Sequence, residues 1–168
     1  MNDGAKEFEE TRQTIEFAEW RTEVENDQLT LVAIRYGGWA KTDLVQEGIS
    51  LELAVGQGDT DGDLEATFIS LEKRAGVRFA FENVSAFRVL DEHGLVDLWL
   101  ASDDRPRPAN TTFKVKGHKW QRESELSWFM ADCEYSFMIA TSLDCLEVVA
   151  KREPRVTMLP AVVRRTTG

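Results

Sequence analysis

The sequence predicts a single, mainly-β (α+β) domain over residues 1–168: a curved antiparallel sheet or flattened barrel with an N-terminal helix packed on one side. Three observations lead there. From residue 29 onward, about eight short runs are rich in Val, Ile, Leu, Phe and Tyr, and several alternate with period two. Turns bearing Gly, Pro, Asp or Asn separate them. Nothing between them supplies the helical crossovers that parallel strands need, so the pairing is expected to be antiparallel.

Residues 4–26 read as the helix. Phe8, Ile15 and Ala18 lie near one stripe, and Phe17, Trp20 and Val24 fall at i, i+3 and i+7 on a second, with glutamates on the solvent side. Leu29 to Tyr36 is the first strand, stopped by Gly37-Gly38. Ile49 to Val55 alternates cleanly, and Leu64 to Leu71 follows across the turn from Gly56 to Asp63.

The densest apolar stretch comes next. Val77 to Phe81 and Phe87 to Leu90 keep one phase, with a bend expected at Glu82-Asn83. Asp91-Glu92-His93-Gly94 reads as a hairpin turn in which Gly94 is free to take positive φ. Leu95 to Leu100 then reads as a strand, with Val96, Leu98 and Leu100 facing one way and Trp99 the other.

Two prolines make Ala101 to Asn110 a loop. Thr111 to Lys116 alternates, Phe113 and Val115 inward and lysines outward, and reads as an uncovered edge that its lysines protect. Between Ser124 and Asp132 the pattern is ambiguous, although Leu126, Phe129 and Met130 fit a short helical turn. Tyr135 to Thr141 places Tyr135, Phe137 and Ile139 on one face. Ser142-Leu143-Asp144 turns it into Cys145 to Ala150, where Glu147 marks the wet side. Pro154 and Pro160 bracket Arg155 to Leu159. Residues 1–5 and 161–168 are expected to be mobile.

Charge narrows the partners. The net charge is −10, and the acids are concentrated early: residues 1–30 hold nine acids and three bases, residues 31–100 twelve and six, and residues 101–168 nine and eleven. Such a chain repels phosphate backbones and attracts basic surfaces, which argues against nucleic acid as a partner. No apolar run reaches the ~20 residues of a membrane span, and the first residues lack the pattern of a signal peptide. A cytoplasmic location is the expectation. Cys133 and Cys145 read as thiols there, since zinc would need closer ligand spacing.

Motifs that carry chemistry are incomplete. Asp59, Asp61 and Asp63 open like a calcium-binding loop, but Leu64 stands where the loop needs glycine and Ser70 where it needs a bidentate glutamate. A solvated hairpin tip is the simpler reading. His93 beside Asp91 and Glu92, and His118 elsewhere, could serve acid–base chemistry only if one of them met an acid in a cleft. No nucleophile elbow, phosphate loop, dinucleotide fingerprint or metalloprotease motif is present. No cofactor, resident metal or catalytic residue is therefore assigned. Of five tryptophans, Trp39 and Trp120 fall near strand ends, where an aromatic can line a pocket or anchor a partner.

Trp99, Phe113-Lys114-Val115, Tyr135 to Thr141, Asp144 to Ala150 and Glu153-Pro154 together resemble small strand-rich bacterial proteins, immunity proteins encoded beside secreted toxins among them. The resemblance spans residues 77–160 and its motifs are structural, so no functional residue carries over. It implies a binding protein. With the acidic front, the expectation becomes a cytoplasmic immunity-type inhibitor that occludes a basic toxin, with Glu16, Glu19, Glu23, Asp59, Asp61 and Asp63 as contacts. The alternative is a carrier of a small or lipid-like ligand, with a pocket lined by aromatics.

Overall fold

The computed structural model describes residues 14–36, 42–46, 49–53, 64–102 and 105–160. In chain order the elements are β1 (Glu16–Glu19), β2 (Leu29–Tyr36), β3 (Thr42–Gln46), β4 (Ile49–Leu53), β5 (Leu64–Ser70), β6 (Ala75–Phe81), β7 (Val84–Asp91), α1 (Glu92–Ala101), β8 (Thr112–Lys116), α2 (Lys119–Glu123), α3 (Glu125–Ala131), β9 (Ser136–Ala140), β10 (Asp144–Ala150) and β11 (Arg155–Leu159). The protein is mainly β and its paired strands are antiparallel. A five-stranded sheet runs β1-β8-β9-β10-β7 and a four-stranded sheet runs β11-β6-β5-β2, while β3 and β4 pair with each other. Neither large sheet closes, so the barrel form of the expectation is replaced by two open sheets.

Period-two alternation builds the layers. Leu146, Val148 and Ala150 on β10, with Phe137 and Ile139 on β9, share a core with Leu64, Ala66 and Phe68 of β5 and Phe79 of β6. Aromatic rings fill this space: Trp20 lies 5.1 Å from Phe137 and 5.9 Å from Phe79, and Phe68 lies 5.5 Å from Phe79. The opposite face of the five-stranded sheet carries Met138, Cys145 and Val149, which pack under Leu98 of α1 and under Trp128 and Ala131 of α3. The order is therefore sheet, sheet, helices.

The bend expected at Glu82-Asn83 has a larger role than curvature. There the chain leaves β6 in one sheet and enters β7 in the other, with Asn83 in the left-handed region at φ 52. Asparagine tolerates that conformation better than most residues.

Three sequence expectations are corrected. The N-terminal helix is absent over residues 14–26, which hold β1 and a turn; its earlier part lies outside the described residues. Ile15 and Phe17 around exposed Glu16 satisfy a two-residue period as well as a helical one, and β8 offers backbone pairing, Phe17 opposite Val115. β8 is consequently an interior strand between β1 and β9, not an uncovered edge.

Residues 92–101 form α1 rather than a hairpin tip and strand. The Asp91 carboxylate accepts the backbone N–H groups of His93 and Gly94, both at 3.1 Å, which caps a helix N-terminus. Gly94 takes no positive φ. It is small because a Cβ there would sit 2.7 Å from the Cβ of Leu90.

Gly117 does need its freedom. Its φ is +77, and a Cβ would lie 2.5 Å from the backbone oxygen of Thr14. Gly117→Ala is expected to destabilise by roughly 1–3 kcal/mol. A urea titration in which the midpoint fails to fall would contradict that.

Candidate functional site

A further correction concerns Glu147. Alternation places it opposite Leu146 and Val148, on a face that a simple two-layer fold would leave wet. The helices cover that face, and Glu147 is 0% exposed. A buried carboxylate requires partners, and this one has several. Arg88 lies directly across on β7, its Nε donating to Oε2 at 2.8 Å and its Nη2 lying 2.7 Å from the same oxygen. Ser136 Oγ donates to Oε1 at 2.5 Å. His118, which is 3% exposed, brings Nε2 to 2.7 Å from Oε1. That approach is close but lies off hydrogen-bond geometry.

Three aromatic contacts extend the cluster. The Arg88 guanidinium sits 4.5 Å from the Trp120 ring centre, Trp120 meets Trp128 edge-on at 4.9 Å, and His118 meets Trp128 at 5.9 Å. His118 precedes α2, and Trp128, with Ala131 the buried pair of α3, packs against Val149. Glu147, Arg88 and Ser136 belong to three adjacent strands. The cluster thus fastens the α2–α3 segment to the β9-β10-β7 side of the five-stranded sheet. Gly117 N–H adds a bond to the Gln121 side chain at 2.6 Å.

A carboxylate touching an imidazole is an acid–base pair in the right setting. Here both groups are enclosed, and the open cleft described below is lined by other residues. Burial by itself would raise the Glu147 pKa. The contact with His118, the Arg88 charge and the Ser136 hydroxyl outweigh that and hold it below the ordinary carboxylate value.

The stability consequence has a definite sign. A depressed carboxylate pKa contributes stability above the unfolded value, near pH 4.3, and that contribution is lost as pH falls through the folded value. The urea midpoint is therefore expected to drop in acid, below about pH 4. The drop should be shallower in Glu147→Gln; equal acid slopes in the two proteins would contradict the assignment.

Trp120 is half-buried and belongs to this cluster. Glu16 is exposed on β1 and lies 3.2 Å from Lys116, which also contacts Glu134. Glu19 pairs with Arg21 at 3.2 Å, and both are exposed. Glu23 is exposed, with no ion-pair partner among the described residues. Trp39, Asp59, Asp61 and Asp63 lie outside the described residues. His93 is exposed and lies 3.3 Å from Asp91 at the start of α1, as part of the cap. Cys133 and Cys145 are free thiols, and burial pushes both up to about 11.

What the sequence reading missed is the outer face of α3. Leu126, Phe129 and Met130 form a helical i, i+3, i+4 set, but they point outward, at 70%, 78% and 70% exposure. Trp128 and Ala131 take the inward positions. The available signal was a surplus: a seven-residue helix with apolar residues on both sides cannot bury them all against one sheet. On α1, Val96 and Leu100 are also exposed. No helix among the described residues is long and apolar enough to cross a membrane. Comparison with protein families, curated proteins and solved structures finds no match to this chain.

Proposed function

We propose that this chain is a binding protein that docks a basic protein partner on the outer face of α3, and that it acts as a cytoplasmic immunity-type inhibitor of a toxin. The observation that carries the reading is the Leu126, Phe129 and Met130 surface, displayed on a helix pinned from beneath by Trp128 and the Glu147 cluster. Three large apolar side chains so exposed on a fixed helix have the form of a hot-spot anchor. A second copy of this chain is a poor occupant, because two molecules of net charge −10 repel. The same charge steers a cationic partner inward.

The division of labour differs from an occluding acidic patch. Around α3 the charges are nearly balanced: Lys119 pairs with Glu123, Lys151 with Asp132, and Glu16 and Glu134 share Lys116. Net charge therefore governs approach, while the apolar face supplies the hold. Glu16, Glu19 and Glu23 contribute to steering. The aromatics that would line an interior lipid pocket are packed against one another, so the binding reading is preferred to the carrier.

The test is co-expression with a toxin encoded by an adjacent gene. The wild-type chain should protect the cells, and Leu126→Ser/Phe129→Ser/Met130→Ser should not, although it folds with a stability within about 0.5 kcal/mol of wild type. Protection by the folded triple variant would overturn the docking face. An adjacent toxin that kills despite the wild-type chain would overturn the immunity-type role.

A further inference from the structure

A second surface feature is independent of α3. Where the loop ahead of β8 passes the turns at residues 26–28 and 140–142, an open cleft of about 380 Å³ is floored by Trp99 and Phe113. Its charged lining residues are Asp27 and Glu72, and no basic side chain lines it. Asp27 is buried and already served by Ser70 at 2.7 Å and Lys73 at 3.2 Å. Glu72 is different. It is exposed, fixed in place by accepting the Gln28 backbone N–H at 2.8 Å, and without an ion-pair partner among the described residues.

Two further facts agree on the sign of charge the cleft favours. Trp99 stands in the last turn of α1, the negative end of the helix, and that turn itself holds no basic residue. A guanidinium already visits this ring, since the carbon at the head of Arg107 lies 5.8 Å from the Trp99 centre. The side-chain amides of Asn26 and Asn110 on the rim make no hydrogen bond among the described residues. They can serve a ligand that has hydrogen-bonding groups beside its charge.

We infer that this cleft is a site for an organic cation, a guanidinium or ammonium head that stacks on Trp99 and is countered by Glu72. The head arrives either as a free small molecule or as an arginine or lysine side chain of a protein. An aromatic floor with a carboxylate wall fits that chemistry, and the ligand head would take the place over Trp99 that the Arg107 guanidinium now borders. A phosphate or carboxylate ligand would face Glu72, Asp27 and a helix C-terminus together.

The experiment is a nuclear magnetic resonance titration of the full chain with N-acetyl-arginine amide, following the indole N–H of Trp99, assigned through Trp99→Phe. Saturable shifts are expected, with a Kd on the order of 1–10 mM, weakening with added salt. Glu72→Gln, a change at an exposed position, should weaken binding roughly two- to fivefold. In Trp99→Leu, which lacks the indole reporter, the backbone amides of Asn110 and Thr111 in the cleft lining are followed instead and should lose the saturable shifts that they show in the wild-type chain.

A short arginine-containing peptide separates the sources: markedly tighter binding than the amide points to a protein side chain, and equal binding to a free cation. Absence of shifts would overturn the inference, and so would equal shifts with the uncharged N-acetyl-norleucine amide. None of these variants touches α3, so this site and the docking face stand or fall separately.

Discussion

Glu147→Ala is expected to cost about 3–5 kcal/mol of unfolding free energy, enough to leave a small domain marginal. The loss of a side chain is the smaller part of this. Removing the carboxylate strips the counter-charge from Arg88, whose guanidinium is held against β10 and Trp120, and takes from Ser136 its carboxylate acceptor and from His118 its close neighbour. A buried pair is costly to break and not especially favourable to have.

The second half of that statement gives the control. Arg88→Met/Glu147→Met, which removes both charges and fills the space, should recover most of the loss and fall near wild-type stability. Urea titrations of the two variants decide it. If Glu147→Ala loses less than about 1 kcal/mol, the cluster is not the anchor described here.

Trp20→Ala has an effect of similar size for a different reason. Trp20 is buried just after β1, with its ring against Phe79, Phe81 and Phe137 from both large sheets. Its removal leaves a cavity that three aromatic neighbours from packed strands cannot collapse to fill, and about 3–5 kcal/mol is expected. Trp20→Phe keeps most of the volume and should cost distinctly less. A Trp20→Ala protein with wild-type urea midpoint would mean that the two sheets do not depend on this ring.

Trp20 also shows how the sequence could mislead. Its spacing from Phe17 and Val24 suits a helix, and local information favours that choice. The competing solution was long-range: β8, nearly a hundred residues later, provides a pairing partner for Glu16 to Glu19. Residues 95–100 pose the same conflict. Val96, Leu98 and Leu100 alternate as a strand would, whereas Leu95, Leu98 and Trp99 form a helical stripe, and the Asp91 cap decides for the helix. Asp91 was visible in the sequence, but acids before glycine suit turns and caps alike.

Elsewhere local pattern was sufficient. Phe79 and Phe81, Phe137 and Ile139, and Leu146 and Val148 all face the core that their phase required. Glu147 keeps the phase too, and only the meaning of its face was misread. Polarity signals water when one side of a sheet is open; it cannot reveal that His118 and α3 will return to cover that side. The outward face of α3 was hidden for the converse reason. Leu126, Phe129 and Met130 look like core residues until Trp128 and Ala131 have taken the inward positions.

The most direct test of the proposed function is titration calorimetry of the purified chain against a toxin encoded by an adjacent gene. Wild-type protein should bind with an affinity that weakens at high salt through a slower approach. Leu126→Ser/Phe129→Ser/Met130→Ser should bind at least about 100-fold more weakly, since hot-spot residues contribute about 1 kcal/mol or more each. Unchanged affinity in that variant, with its fold intact by circular dichroism, would contradict the account.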